Sequence, residues 1–381
     1  MSRGAGIAAA ALLGLLAFVG PVRDVDAAYS YSKSITIDHT KVGNAGAPAT
    51  LSSFPMLYKV TDPDLRTTAN GGHVTSASGF DIIFKDSGGT TLDHEIEKYV
   101  PTTGELVAWV RVPTLNTQTS GSNTVITIYY GDSSVVTSQE NATGVWDSNF
   151  VGIWHLKESS GTGSYLLNSK QNAYHGDPSG SSFLANAKIA GGQQGGVIDM
   201  DNGNTLLGGD TAFTLSFWGY PNYASDSAWQ SDGERWFFTS DSIWGWRIAR
   251  RSYDPAGTGW IQADVRLSSG TNYLNDAGNL LRAQWNHFVI NYDGAALRLY
   301  INGGLASQST GYTGQALNAN TTWPVFELGD PGSPNYIDEF RYSRSARSAH
   351  WVKTEYNNQN APGDIGSAGF YTVGSESGGI L

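Results

Sequence analysis

From Tyr29 onward the apolar residues recur with a period of two, and no stretch sustains the 3.6-residue period of a long helix. Val107 to Val112 alternates two apolar faces around Trp109 and Arg111. Runs of the same kind cover 34–37, 80–84, 94–100 and 124–130, and later 212–218, 285–292, 297–301 and 369–373. Clusters of Gly, Asn and Ser, with prolines, separate them. Asp293-Gly294 and Asn302-Gly303 predict type I′ hairpins, whose two central residues both need positive φ. Ser348 is placed to cap one or two helical turns reaching Tyr356. This pattern predicts an all-β chain.

A chain of 381 residues has material for two β-sandwich cores. The strand groups divide it into 28–137 and 150–358, with a polar linker at 138–149 and a terminal strand and tail at 359–381. At the front, Arg3 precedes an apolar run from Ile7 to Val19, and Val25-Asp26-Ala27 supplies small or apolar residues at −3 and −1. Residues 1–27 therefore read as a signal peptide cut after Ala27, which predicts an extracellular or cell-surface protein with no membrane insertion after cleavage. The net charge of −11 opposes binding to nucleic acid or to anionic membranes. The lack of cysteine excludes thiol catalysis, disulfide frameworks and cysteine-based zinc sites.

Two groups of residues resemble known families. Residues 195–201, 213–218, 285–289, 297–303 and 336–342 resemble, in order and spacing, the LamG-like branch of the concanavalin A-like lectin/glucanase superfamily. That resemblance implies a two-sheet jelly roll over 150–358. Residues 31–37, 80–82, 92–97, 109–113 and 128–131, with the junction 151–156, resemble an uncharacterised bacterial and archaeal surface β-domain that precedes such jelly rolls. The second resemblance implies a fold class and an address, with no chemistry attached.

Retaining glucanases need two carboxyl groups about 5–5.5 Å apart. The corresponding Glu-x-Asp-x-x-Glu pattern is missing from 150–358, so no catalytic residues are assigned and the chain reads as a non-enzyme. The nearest mimic, Asp93, Glu95 and Glu97, falls in the first domain and reads as a solvent-facing polar edge. No Gly-x-Ser-x-Gly elbow or His-Glu-x-x-His pair is present, and His287 reads as a hydrogen-bonded sheet histidine. The superfamily resemblance implies one structural Ca²⁺, with Asp338 as a ligand beside carbonyls near 154–158. Asp199 and Asp201 form a second option, and pairing of Asp338 with Arg341 is the alternative to any metal.

The densest functional signal is aromatic. Trp229, Trp244 and Tyr253 lie among loop-forming residues, with Arg250 close by, and such rings take the C–H faces of sugars or anchor protein partners. The sequence thus predicts a non-catalytic binding protein whose partner is a glycan or a surface protein. The alternatives are a self-assembling subunit of an extracellular layer or fibre, joined through the strands at 29–37 or 369–373, and a glycoside hydrolase.

Overall fold

The computed structural model describes residues 29–200, 208–222, 237–238, 246–251, 260–276, 283–318, 327–329 and 334–378. Residues 1–27, read from the sequence as a signal peptide, lie outside them. The architecture is mostly β, in antiparallel sheets. Among the described residues no helix is long and apolar enough to cross a membrane.

The first unit is a sandwich of β1 (Tyr31–Ile37), β2 (Thr50–Thr61), β3 (Ile83–Asp86), β4 (Thr91–Leu92), β5 (His94–Val100), β6 (Glu105–Asn116) and β7 (Thr124–Tyr130). One sheet has the order β2-β6-β5, and the other contains β1-β7-β3-β4. Their inward side chains, among them Ile35, Met56, Tyr58, Ala108, Val110 and Ile128, form one core. The stretch read as a linker carries a single helical turn, α1 (Ala142–Val145), and delivers Val145 and Trp146 into that core.

The second unit begins with β8 (Phe150–Trp154), β9 (Asp177–Ser179), β10 (Ser182–Leu184), β11 (Gly192–Gln194), β12 (Val197–Asp199) and β13 (Phe213–Tyr220). It continues through β14 (Phe237–Phe238), β15 (Trp246–Arg251), β16 (Trp260–Leu267), β17 (Gly270–Asp276), β18 (Asn286–Tyr292), β19 (Ala296–Ile301), β20 (Gly304–Thr310), β21 (Glu327–Gly329) and β22 (Tyr336–Ser343). An eight-stranded sheet runs β10-β11-β22-β13-β18-β19-β20, with β8 also on β22. Opposite it lie the four-stranded sheet β14-β15-β16-β17 and the three-stranded sheet β21-β12-β9. Phe213, Leu215, Phe217, Phe288 and Ile290 of the large sheet share a core with Ile248, Ile261, Ala263, Val265 and Leu274 of the small one.

After β22 the chain returns to the first unit. Helix α2 (Ala349–Asn360) starts where Ser348 Oγ accepts the Trp351 N–H, as the capping signal predicts, and extends to three turns. Two short strands then close the first sheet. β23 (Tyr371–Val373) and β24 (Ser377–Gly378) pair with β1, Ile35 opposite Val373 and Tyr31 opposite Gly378. The terminal segments expected to offer edges to a neighbouring molecule therefore pair with each other. β1 is thereby paired on both sides, by β7 and by β23 with β24, which leaves it no edge for fibre assembly, while β23 stands at the end of the sheet.

The other exposed edge, that of β2, is met by side chains. Asn358 accepts from Leu57 N–H at 2.7 Å and donates to its carbonyl at 3.0 Å. The Tyr371 hydroxyl does the same for Lys59, at 2.8 and 3.0 Å, and Asp364 accepts from Thr61 N–H. Alternate residues of an edge strand point their backbone groups outward, so 57, 59 and 61 are the ones needing partners. All three find them in the returning segment.

Candidate functional site

The two units meet on a seam of buried charge. Its geometry starts from an irregularity in β22. Ser216 pairs with Arg341, but Trp218 pairs with Asp338, so β22 carries one extra residue at this point. The extra residue is Glu339, which sits at a positive φ of 55°. Ile337, Phe340 and Tyr342 keep their places in the jelly-roll core. The bulge lets Asp338, Glu339 and Arg341 all leave that core for the outer face of the sheet.

β8 supplies the next group. Trp154 pairs with Phe340 on the core side, so His155, one residue on, comes beside Glu339. Its Nδ1 lies 2.8 Å from Glu339 Oε1, and its Nε2 lies 3.3 Å from Glu95 Oε1. Glu95 and Glu97 project from β5 of the first unit, where a register shift between Ile96 and Lys98 makes Glu97 the extra residue. The expectation of a solvent-facing edge is corrected for both: they are 5% and 7% exposed, because the jelly roll covers them. Asp93 remains half-exposed and pairs with Arg111 at 3.3 Å.

Two tryptophans of the first unit line the seam. Trp109 Nε1 donates to Glu97 Oε2 at 2.8 Å, and Trp146 Nε1 donates to Glu95 Oε2 at 3.2 Å. The Arg341 guanidinium lies 4.2 Å from the Trp109 ring and 4.9 Å from that of Trp146. It donates to Glu339 Oε2 at 2.7 Å and to Glu355 Oε1 of α2 at 2.9 Å. Arg341 therefore pairs with these two carboxylates and not with Asp338. A line of alternating charge, Glu95, His155, Glu339, Arg341 and Glu355, thus crosses from the first unit through the jelly roll to the helix.

Burial alone would lower the His155 pKa, but Glu339, Glu95 and Glu97 hold it well above the usual imidazole range. Burial raises Glu95, yet His155, Lys157 and Ser169 outweigh it and bring the carboxyl down to about 2. Glu97 is pushed up to about 7, first by burial and then by the charge of Glu339. Burial, Glu339 and Glu97 raise Asp338 well above the carboxylate range. The arrangement ties the two units together, and its donors, two carboxylates and an imidazole, are of metal-binding type.

Asp338 Oδ2 accepts the Ile189 N–H at 2.8 Å, and Gln193 Nε2 donates at 3.2 Å to the carbonyls of Leu156 and Glu158. Asp199 lies elsewhere, on the three-stranded sheet, in register with Asp177 on one side and Glu327 on the other. Burial and then Asp199 raise the Glu327 carboxyl. Asp201, Trp229, Trp244 and Tyr253 lie outside the described residues. Arg250 is in β15 opposite Ile261, and only its backbone is described. His287 is buried against the rings of Trp218 and Tyr356, centroids 5.0 and 6.3 Å away. Its Nδ1 is buried with no hydrogen-bond partner among the described residues, and the two rings lie tilted against it at 44° and 34°.

The second surface with binding chemistry is the outer face of the four-stranded sheet. Ile261, Ala263, Val265 and Leu267 point into the core, which turns Gln262, Asp264 and Arg266 to the opposite face, where Gln262 and Asp264 are nonetheless buried, at 3% and 7% exposed. Gln262 Nε2 donates to Asp264 Oδ1. Tyr273, 52% exposed, stands directly opposite Asp264 in the neighbouring strand. The sequence singled out Glu95, Glu97, Asp338 and Arg341 separately, without the contact between them, and did not mark the small sheet's outer face. The signals were the adjacent acids and arginine inside the apolar strand at 336–343, and the regular Gln-x-Asp-x-Arg alternation at 262–266.

Comparison with known proteins agrees with this architecture. Residues 190–353 match the concanavalin A-like lectin/glucanases superfamily, and residues 78–153 match a domain of unknown function, DUF2341. No curated protein matches the chain. Similar solved structures include domain 4 of AbnA, an extracellular arabinanase from Geobacillus stearothermophilus, in complex with arabinotriose. It is 18% identical, with 55% of this chain and 98% of that one covered and a TM-score of 0.38. The ligand-binding domain of botulinum neurotoxin serotype D, in complex with N-acetylneuraminic acid, is 14% identical, covers 57% of this chain and has a TM-score of 0.43. The binding domain of Paraclostridial Mosquitocidal Protein 1 is also 14% identical, covers 58% and has a TM-score of 0.39. The chain spans 53% and 54% of the length of these last two structures.

Proposed function

From the premise that residues 190–353 form a concanavalin A-like lectin/glucanase domain preceded by a domain of unknown function, we propose that the protein is an exported, non-catalytic glycan-binding protein. The observation that carries this reading is the outer face of the four-stranded sheet. There the Tyr273 ring, 52% exposed, stands opposite Asp264, a buried carboxylate that the Gln262 amide orients. A sugar presents a C–H face to such a ring. The jelly roll's other sheet is not free for a ligand, since α2 and the first unit cover it, with Ser216 and Trp218 bonded to Glu355 and Gln359. We propose Trp229, Trp244, Tyr253 and Arg250 as further ligand-binding residues.

The non-catalytic part of the reading rests on the sequence, where the Glu-x-Asp-x-x-Glu pattern is missing from 150–358. A glycan array on the secreted chain tests the proposal. Tyr273→Ala is expected to weaken binding of the selected glycan at least tenfold while leaving the melting temperature unchanged. Absence of glycan binding by the wild type, or release of sugar from polysaccharide, overturns it.

A further inference from the structure

The seam holds more carboxyl groups than cationic partners. Glu95, Glu97, Asp338, Glu339 and Glu355 are each at most 7% exposed. The cationic groups in direct contact with them are Arg341 and His155, while Lys157 and Lys188 act from the margin. The carboxyl groups outnumber the cations that touch them, so the seam is rich in oxygen donors. One atom at the centre is also orphaned: Glu97 Oε1 is buried with no hydrogen-bond partner.

We propose that Glu97, His155 and Glu339 hold a divalent transition-metal ion of the zinc class, one ligand coming from each of the first unit, the junction and the jelly roll. A ligand atom of each lies within 4.8 Å of those of the other two. His155 Nδ1 is 2.8 Å from Glu339 Oε1 and 3.6 Å from Glu97 Oε2. Metal bonds of about 2.0–2.2 Å set the donors of one ion about 3.0–3.5 Å apart, so small adjustments close the site. The surrounding groups suit outer-shell roles. Trp109 orients Glu97, Arg341 orients Glu339, and Glu95 faces the far nitrogen of His155. An imidazole with carboxylates selects zinc or manganese over calcium, which takes oxygen donors. Complete burial makes the ion structural, a clamp between the units.

The experiment uses the secreted chain, stripped with chelator and titrated with Zn²⁺, Mn²⁺ or Ca²⁺ alone, with calorimetry and melting scans as readouts. One equivalent of Zn²⁺ or Mn²⁺ is expected to bind and raise the melting temperature, with no response to Ca²⁺ at this site. Glu97→Gln keeps the size and the acceptor for Trp109, and is expected to lose at least tenfold in affinity. His155→Gln is expected to abolish binding. His73→Gln controls for the half-exposed group Asp64, His73 and Glu376, the other cluster of ligand type among the described residues. Failure of the stripped chain to take up Zn²⁺ or Mn²⁺ overturns the proposal. So does uptake that survives Glu97→Gln and is lost in His73→Gln.

Discussion

His287 is a base that the fold keeps neutral. Burial lowers its pKa from 6.5 to about 4. A depressed base favours the neutral form, so its contribution to stability is complete above pH 6.5 and is lost as pH falls through 4. The difference amounts to about 3 kcal/mol. Melting scans from pH 7 to pH 4 should show a decline in the wild type that is reduced in His287→Gln. Parallel curves would assign the acid sensitivity to another group. That this residue lies in a sheet is legible from the alternation around it. Its environment is not, because Tyr356 reaches it from a helix 69 positions along the chain. The two hairpin signals teach a similar lesson. Asn302 and Gly303 adopt φ of 52° and 74°, the expected type I′ turn. At Asp293-Gly294 only the glycine has positive φ, because the Asp293 carboxylate accepts from Ala295 and Ala296 N–H and builds a three-residue turn. A side-chain hydrogen bond decided between two turns that the dipeptides alone do not distinguish.

Helix α2 shows how an element's existence is easier to read than its purpose. Ser348 marks its start. The run Asn357 to Asn360 looks like a solvated end, yet Asn358 and Gln359 are buried, one on the edge of β2 and the other on Trp218. Asn358→Ala would leave both backbone groups of Leu57 unpaired, a loss of about 2–6 kcal/mol at 1–3 for each buried group. Ser348→Ala removes one cap bond and should cost about 1 kcal/mol. Urea unfolding of the two variants measures the contrast, and equal losses would mean that the edge contact contributes little. The bulge in β22 was hidden for a related reason. Asp338 and Glu339 cannot both leave the core in a regular strand, so strict alternation sends one of them inward. The extra residue, visible only through pairing with β13, resolves that conflict and creates the charged seam.

At the scale of the molecule, the all-β class and the jelly roll were legible, because they rest on periodicity and on local motifs. The interweaving of the two units was not, because it depends on contacts across some 300 residues. Asn358 on Leu57, Tyr371 on Lys59 and the charge line from Glu95 to Glu355 all join distant segments. The Asp147–Arg347 pair, at 2.6 and 2.9 Å, adds a further tie. We therefore expect one calorimetric transition for residues 29–378, and no cooperative unfolding for a fragment 29–137. Two resolved transitions, or a stable fragment, would show that the units are independent. The pairing of β23 with β1 also bears on how the protein is made. A ribosome adds about 5–20 residues per second, so Tyr371 follows Ile37, its partner in the sheet, by tens of seconds. Throughout that interval the earliest strand has only one of its two neighbours to find. The first unit is thus finished last, and its first sheet stays incomplete until the closing strand arrives.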